Sequence, residues 1–253
     1  QKMLFWSMKA LVVCNPVRTD CDVGPLIDQA AQEKVLQYID QGNILFRTKA
    51  PEYGFFVPPT VLAVSGIGDL KEEIFGPVLH LATFNSDDLD QVIDDINASG
   101  YGLTFGLHSR IDDRVQRILS KVDVGNLYIN RNQIGAVVGS QPFGGHGLSG
   151  TGPKAGGPRY LPRFALQNLL CMEGDSPPRM TAKEVSCAFA KNFSFLPLMP
   201  VDLPGPTGES NRYSLVPRRR VLCMGAGAEK YAERALKLGC YAVAATLDEN
   251  DLT

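Results

Sequence analysis

Two adjacent glutamates followed by a phenylalanine and a Gly-Pro pair form the segment best suited to chemistry. Residues 71–79 read KEEIFGPVL. A carboxylate such as that of Glu73 has two oxygens that can accept hydrogen bonds from a ligand. Without further context, the segment is better explained as a solvated acidic turn than as a ligand site. The phenylalanine would then be a core residue at the start of a strand. A ligand contact at Glu73 or Phe75 is therefore a hypothesis that depends on further motifs.

A second candidate is a run rich in glycine and proline at residues 135–158, which reads GAVVGSQPFGGHGLSGTGPKAGGP. Loops of small residues expose backbone N–H groups, which suit an anionic ligand. Apolar residues inside the run, such as Val137, Val138 and Phe143, favour an ordered loop packed against other residues over a disordered linker. The alternative is a tight loop in which the glycines only relieve backbone strain.

A third glycine motif, Gly225-Ala226-Gly227, follows an apolar run and precedes a helical pattern. It resembles the start of a dinucleotide-binding turn, and Asp248 follows at roughly the expected twenty-odd residues. Lys230 stands where the third glycine would be required. The motif therefore favours a structural turn, with nucleotide binding as the alternative.

Composition and the remaining reactive side chains exclude several functions. The six cysteines show no Cys-x-x-Cys spacing and have no histidine nearby, so we expect reduced thiols and no metal site. His146, flanked by glycines, is interpreted as a surface loop residue and not as a general base. The net charge of −2 and the lack of a long apolar run predict no nucleic-acid partner and no transmembrane segment.

Hydrophobic periodicity predicts alternating helices and strands. We expect helices at residues 1–13, 28–41, 87–96 and 112–122, and strands at 44–46, 55–57, 60–63, 77–84, 103–107 and 126–130. Asp28 is the expected N-cap of the second helix. This order is typical of an α/β fold with a mainly parallel sheet and flanking helices. A strand, a glycine turn, a helix and a strand after residue 218 predict the start of a second unit.

Several segments resemble motifs of the aldehyde dehydrogenase superfamily, in the family's order. They are residues 22–28 (DVGPLID), 54–60 (GFFVPPT), 71–79 (KEEIFGPVL), 125–130 (GNLYIN), 141–145 (QPFGG) and 149–150 (SG). Residues 97–104, 135–139 and 150–158 resemble the pyrroline-5-carboxylate dehydrogenase module of the bifunctional proline utilization A family. Residues 203–211 (LPGPTGESN) are similar to a segment of that family beyond the ordinary dehydrogenase module.

The resemblance implies the second half of an aldehyde dehydrogenase catalytic domain, followed by the start of a Rossmann-like C-terminal domain. It implies NAD-dependent oxidation of glutamate γ-semialdehyde to glutamate in proline catabolism. Glu73 would accept hydrogen bonds from the ribose next to nicotinamide, and Phe75 would limit the orientation of the nicotinamide ring. Gly135 and Ala136 would anchor the substrate carboxylate, and Phe143 would pack on the aliphatic stem of the substrate.

In the family, the cysteine nucleophile and the glutamate base precede the region that this chain resembles. No catalytic residue is therefore expected here, and the chain alone is expected to be inactive. Cys14 and Cys21 are interpreted as structural thiols. The implied parent is bacterial and bifunctional, and only its proline dehydrogenase domain would carry FAD. The alternative is a non-catalytic paralogue that acts as an assembly or scaffold partner for an intact dehydrogenase.

Three parts are predicted along the chain. Residues 1–165 would belong to the partial catalytic domain, 166–217 to a connecting segment and 218–253 to the start of the Rossmann-like domain. The implied partners are glutamate semialdehyde as the small-molecule substrate and further copies of the parent in a homo-oligomer. A cytoplasmic parent is expected, and its peripheral association with the inner membrane is left open.

Overall fold

The computed structural model describes residues 1–133, 136–164, 175–190, 198–218 and 220–247. The chain divides into two compact units. Unit 1 comprises Gln1–Gln133 and Gly145–Thr151, and unit 2 comprises Ile134–Gly144 and Gly152–Thr253. None of the helices in the described part of the chain has the length and apolar character that a membrane span requires.

Unit 1 alternates helices with short strands. Its elements are α1 (Lys2–Lys9), α2 (Gln29–Asp40), β1 (Asn43–Arg47), β2 (Thr60–Ala63), β3 (Val78–Leu81), α3 (Leu89–Ala98), β4 (Tyr101–Gly102), β5 (Thr104–Leu107), α4 (Asp112–Lys121), β6 (Asn126–Ile129) and β7 (His146–Gly147). Strand β2 pairs antiparallel with β1 and parallel with β3, while β5 pairs parallel with β6. The predicted α/β class is therefore confirmed.

Helix α2 organises the core next to the first sheet. The Asp28 side chain accepts a hydrogen bond of 2.8 Å from the backbone N–H of Ala31, as the predicted N-cap should. Val35 and Ile39 lie on the inner face of the helix and are buried together with Val57. The half-buried residues packed around them are Leu26, Leu36, Ile74 and Val78. The segments that lead into β2 and β3 are thus packed against one helix face.

A second buried cluster joins α3, α4 and β5. Its members are Ile93, Ile118 and Val122, with Leu89, Ile96, Phe105, Leu107 and Val124 packed against them. The Asn97 side chain donates to the carbonyl of Lys121 at 2.9 Å and accepts from the N–H of Asp123 at 2.8 Å. This amide joins the ends of the two helices, so that the strands after them run side by side.

Unit 2 contains the remaining elements. They are β8 (Arg179–Met180), α5 (Ala182–Phe189), β9 (Leu198–Leu203), β10 (Asn211–Leu215), β11 (Val221–Cys223), α6 (Ala228–Lys237), β12 (Ala242–Ala244) and β13 (Thr246–Leu247). Strands β9 and β10 form an antiparallel hairpin. Strands β11 and β12 are parallel and are connected through α6, in the strand, helix and strand order predicted for the residues after 218. The proposed boundaries at residues 165 and 217 stay predictions.

The first predicted helix is longer than the observed one. Helix α1 ends at Lys9, whereas the periodicity predicts helix to residue 13. The chain leaves the helix because the Val12 N–H donates to the Asp22 carboxylate at 2.8 Å, and the Asp22 N–H donates to the Val12 carbonyl at 2.9 Å. A contact ten residues away in the sequence thus overrides the local pattern.

The strand predicted at residues 55–57 is wrong. The Phe55 carbonyl accepts from the N–H of Leu26 at 2.8 Å, and the Phe56 carbonyl accepts from the side chain of Gln32, also at 2.8 Å. These carbonyls bind the start of α2 instead of a neighbouring strand. The apolar run at 55–57 therefore reflects burial against the helix and not strand pairing.

The N-cap of α2 can be tested directly. The substitution Asp28→Ala is expected to lower the free energy of unfolding by about 1 kcal/mol, because the Ala31 N–H loses its acceptor. Asp28→Asn is the control, since the asparagine oxygen can still accept the bond. Urea unfolding of the variants measures the difference, and equal midpoints for the alanine and asparagine variants would contradict the assignment.

Candidate functional site

The segment at residues 72–77 lies directly on α2. A Cβ atom added to Gly76 would lie 2.8 and 2.9 Å from the two methyl carbons of Val35, a distance at which no side chain fits. The Pro77 carbonyl then accepts from the Thr60 N–H at 2.9 Å and leads the chain into β3 beside β2. Glycine at this position is thus required by the close approach of the backbone to the helix.

A small pocket lies between this segment and α2. Its volume is about 90 Å³, and it is lined by Ala31, Lys34, Val35, Glu73, Ile74 and Phe75. Pockets that enclose a small-molecule ligand usually measure about 300–1,000 Å³. This pocket can therefore hold only one part of a larger ligand, such as a sugar or a ring. Phe75, with 76% of its surface exposed, forms an open aromatic wall.

The two glutamates of the segment have different surroundings. The Glu72 carboxylate forms an ion pair of 3.0 Å with the Lys34 ammonium group on α2. Within the described residues, the Glu73 carboxylate forms neither an ion pair nor a hydrogen bond, and it is exposed at the pocket. The Glu72 carboxylate is thus paired with a residue of the helix, while both oxygens of Glu73 can accept hydrogen bonds from a ligand.

Part of the glycine-rich run belongs to unit 2. Of the predicted substrate residues, Gly135 lies outside the described residues, Ala136 is exposed and Phe143 is half-buried. Phe143 and Ala155 exchange backbone hydrogen bonds of 3.0 and 2.8 Å, and the Gly139 N–H donates to the Gly156 carbonyl at 3.0 Å. The prediction of an ordered loop is therefore confirmed for its described residues.

Lys154 fastens the same loop and was not identified from the sequence. Its ammonium group donates to the Gly144 carbonyl at 3.0 Å. Burial of the side chain lowers the pKa of Lys154 to about 8. A Cβ on Gly144 would lie 3.3 Å from the Lys154 Cα atom, so the two backbones pass close to each other. Its place as the one lysine within the glycine-rich run is the sequence signal for this role.

Residues 145–151 of the run belong to unit 1. The short strand β7 pairs antiparallel with β4. The His146 Nε2 atom lies 3.2 Å from a carboxylate oxygen of Asp123, and both side chains are about half exposed, at 42% and 45%. A Cβ on Gly147 would overlap the Gly100 carbonyl oxygen, and the φ of +62° at Gly147 also favours glycine. Residues 145–151 therefore serve to pair this part of the run with β4 and with Asp123.

The thiols near the N-terminus are held by hydrogen bonds. The Cys21 thiol donates to the Cys14 carbonyl at 2.8 Å. A side-chain hydrogen bond between the Cys14 and Cys21 thiols, together with burial, raises the pKa of Cys14 to about 11. Because the thiolate is the nucleophilic form of cysteine, this raised pKa makes Cys14 a poor nucleophile at neutral pH.

The Gly225-Ala226-Gly227 turn is a structural connection between β11 and α6. Gly225 and Gly227 have φ values of +85° and +77°. The Gly227 N–H donates to the Asp175 carbonyl at 3.3 Å, so one of the amides at the helix start already has a partner. Asp248, the candidate ribose ligand, lies outside the described residues.

The family model of the aldehyde dehydrogenases matches residues 2–168, and the chain therefore belongs to the aldehyde dehydrogenase family. The bifunctional protein PutA of Klebsiella aerogenes is 39% identical over 261 residues, which cover 88% of this chain and 20% of that protein. The chain thus spans a minor part of the length of its PutA relatives. The resemblance predicted from the motifs is confirmed.

Solved structures give the same result. A Bradyrhizobium japonicum proline utilization A (PutA) mutant is 47% identical with a TM-score of 0.63, over 65% of this chain and 17% of that chain. A Thermus 1-pyrroline-5-carboxylate dehydrogenase with bound NAD is 35% identical with a TM-score of 0.58, over 64% of this chain and 32% of that chain. The partial aldehyde dehydrogenase fold is therefore shown by structure as well as by sequence.

The contact between Gly76 and α2 yields a prediction for stability. Gly76→Ala is expected to lower the free energy of unfolding by about 1–3 kcal/mol, because the new methyl group has no space beside Val35. Gly68→Ala is the matched control, since a Cβ at that position meets nothing within 4 Å. Urea unfolding measures both variants.

A double-mutant cycle separates this contact from a local backbone effect. If the clash is with Val35, then Gly76→Ala should be less destabilising in a Val35→Ala background than in the wild type. Strictly additive effects of the two substitutions would show that the helix does not limit the size of residue 76.

Proposed function

We propose that this chain contributes binding residues to an NAD-dependent dehydrogenase that oxidises glutamate γ-semialdehyde to glutamate in proline catabolism. The observation that carries the proposal is the exposed Glu73 carboxylate beside Phe75, at a pocket formed on α2. The names of the relatives, PutA and 1-pyrroline-5-carboxylate dehydrogenase, support this substrate. The activity proposed is that of the whole protein.

The residues at the pocket fit one end of a dinucleotide. Glu73 would accept hydrogen bonds from the two adjacent hydroxyls of a ribose, because its oxygens have no partner among the described residues. Phe75 would limit the orientation of the nicotinamide ring. When bound, NAD would accept a hydride from the carbon of the substrate that is oxidised.

Glu72 is not a ligand residue in this proposal. Its carboxylate forms an ion pair with Lys34 on α2. The pair is more than half exposed, with side-chain exposures of 61% and 57%, so its contribution to stability is small. The rigid element is the glycine contact of the same segment with the helix.

The glycine-rich loop of unit 2 would bind the substrate. We propose that the backbone N–H groups at Gly135 and Ala136 anchor the α-carboxylate of glutamate semialdehyde, since successive amides form a site for anions. Phe143 would pack on the three-carbon stem, and its backbone pairing with Ala155 holds it in place.

The raised pKa of Cys14 supports its exclusion as the nucleophile of the reaction.

The cofactor role of Glu73 can be tested in the full-length protein. Glu73→Gln is expected to raise the Kd of NAD about tenfold, because hydrogen bonds to a charged acceptor are stronger by about 1 kcal/mol or more. Glu72→Gln is the matched control and should leave the Kd of NAD unchanged, since Glu72 binds Lys34. Fluorescence titration with NAD and a thermal melt of each variant provide the measurements.

The substrate is tested in the same preparation. NADH should form when the wild-type protein receives NAD and glutamate semialdehyde. No NADH formation by the full-length protein would overturn the proposed function. An unchanged Kd of NAD in Glu73→Gln would instead remove only this residue from the cofactor site.

A further inference from the structure

Two cysteine thiols meet in the segment between α1 and α2. Cys14 and Cys21 are seven positions apart in the sequence, and the Cys21 thiol donates to the Cys14 carbonyl at 2.8 Å. A side-chain hydrogen bond also joins the two thiol groups. Both cysteines are reduced in the structure. The fold of unit 1 therefore brings two reduced sulfur atoms into contact.

The backbone holds the two cysteines next to each other. Val13 and Val23 form a parallel bridge. The Cys14 N–H donates to the Val23 carbonyl at 3.1 Å, and the Asp22 N–H donates to the Val12 carbonyl at 2.9 Å. The chain segments on which the two cysteines lie are thus fixed side by side. The contact between the thiols is therefore set by backbone hydrogen bonds.

The two thiols differ in their access to solvent. Cys21 is half-buried, whereas Cys14 is buried with 8% of its surface exposed. The hydrogen bond with the Cys21 thiol, together with burial, keeps the pKa of Cys14 at about 11. A reagent in solution therefore reacts with Cys21 first. Once the Cys21 sulfur is bonded to another sulfur atom, the first of these two causes is removed and Cys14 loses its proton more easily.

We infer that Cys14 and Cys21 form a reversible oxidation site, at which a low-molecular-weight disulfide converts the two thiols into an intrachain disulfide. In the first step, the Cys21 thiolate attacks one sulfur of the reagent, forms a mixed disulfide and releases one thiolate. In the second step, Cys14 gives up its proton, attacks the Cys21 sulfur and releases the second thiolate. The protein loses two protons and two electrons, and the reagent is reduced to two thiols.

The disulfide protects both sulfur atoms from irreversible oxidation. Thiols reduce a disulfide again, whereas they do not recover a cysteine that has been oxidised to the sulfinic acid. The bond would join two chain segments that already lie side by side and that lead into α2. The oxidation site depends on neither the substrate nor the cofactor of the proposed function.

The test uses the full-length wild-type protein, treated with glutathione disulfide, blocked at its remaining thiols and digested with trypsin without reduction. Arg18 is exposed and lies between the two cysteines, so cleavage after it separates Cys14, in residues 10–18, from Cys21, in residues 19–34. The mass spectrum should show these peptides joined as one species, lighter than their sum by two hydrogen atoms. Dithiothreitol should release them as separate peptides.

A redox titration distinguishes a contact set by the fold from mere closeness in the sequence. The equilibrium constant for formation of the joined peptides is measured with mixtures of glutathione and glutathione disulfide, in buffer and in concentrated urea. It should be at least about tenfold larger in buffer, because the folded chain raises the effective concentration of one thiol at the other.

Three variants establish the order of the two steps. Cys14→Ser should stop the reaction after the first step, so that Cys21 keeps one glutathionyl group. Cys21→Ser should leave the buried Cys14 reduced. Cys240→Ser is the matched control, because Cys240 is half-buried as Cys21 is but belongs to unit 2. It should give the joined peptides as the wild type does.

Three results would overturn the oxidation site. They are a wild-type protein in which both thiols stay reduced, one in which Cys21 carries glutathione without the joined peptides, and equal equilibrium constants in buffer and in urea. None of these results bears on the proposed function, because the peptide masses are read without any dehydrogenase assay.

Discussion

The close contact between the Gly76 backbone and Val35 is the constraint on which the candidate cofactor site depends. There is no space for a side chain between the two, so the segment before β3 must run along α2. The two neighbouring glutamates then differ in their contacts. The Glu72 carboxylate pairs with Lys34, whereas Glu73 lines the pocket. A backbone contact, and not the charges themselves, therefore decides which glutamate is available to a ligand.

The glycine-rich loop of unit 2 is also restrained by specific contacts, but these are hydrogen bonds and not a close backbone contact. Its residues offer few side chains for packing, so its conformation depends on hydrogen bonds made by a few polar side chains of unit 2. Lys154 binds the Gly144 carbonyl, and Glu209 binds Gln141. A loop of this composition can present backbone N–H groups to an anion only if other residues restrict its freedom.

Local signals in the sequence were sufficient for the elements that local interactions determine. Asp28 was predicted as an N-cap, and the structure has its bond to Ala31. The apolar run at 55–57 has the pattern of a strand, because periodicity cannot distinguish burial under a helix from burial in a sheet. The bond between Gln141 and Glu209 joins residues 68 positions apart, and no spacing rule connects them. Motifs therefore predicted the family and the candidate ligand residues, but not the contacts that hold those residues.

A crystal structure of the full-length protein with NAD tests the central claim most directly. The account predicts that both Glu73 carboxylate oxygens lie within about 2.5–3.0 Å of the two hydroxyls of the nicotinamide ribose, with Phe75 beside the nicotinamide ring and Glu72 still paired with Lys34. A bound NAD whose ribose hydroxyls contact other residues, with Glu73 directed to solvent, would contradict it.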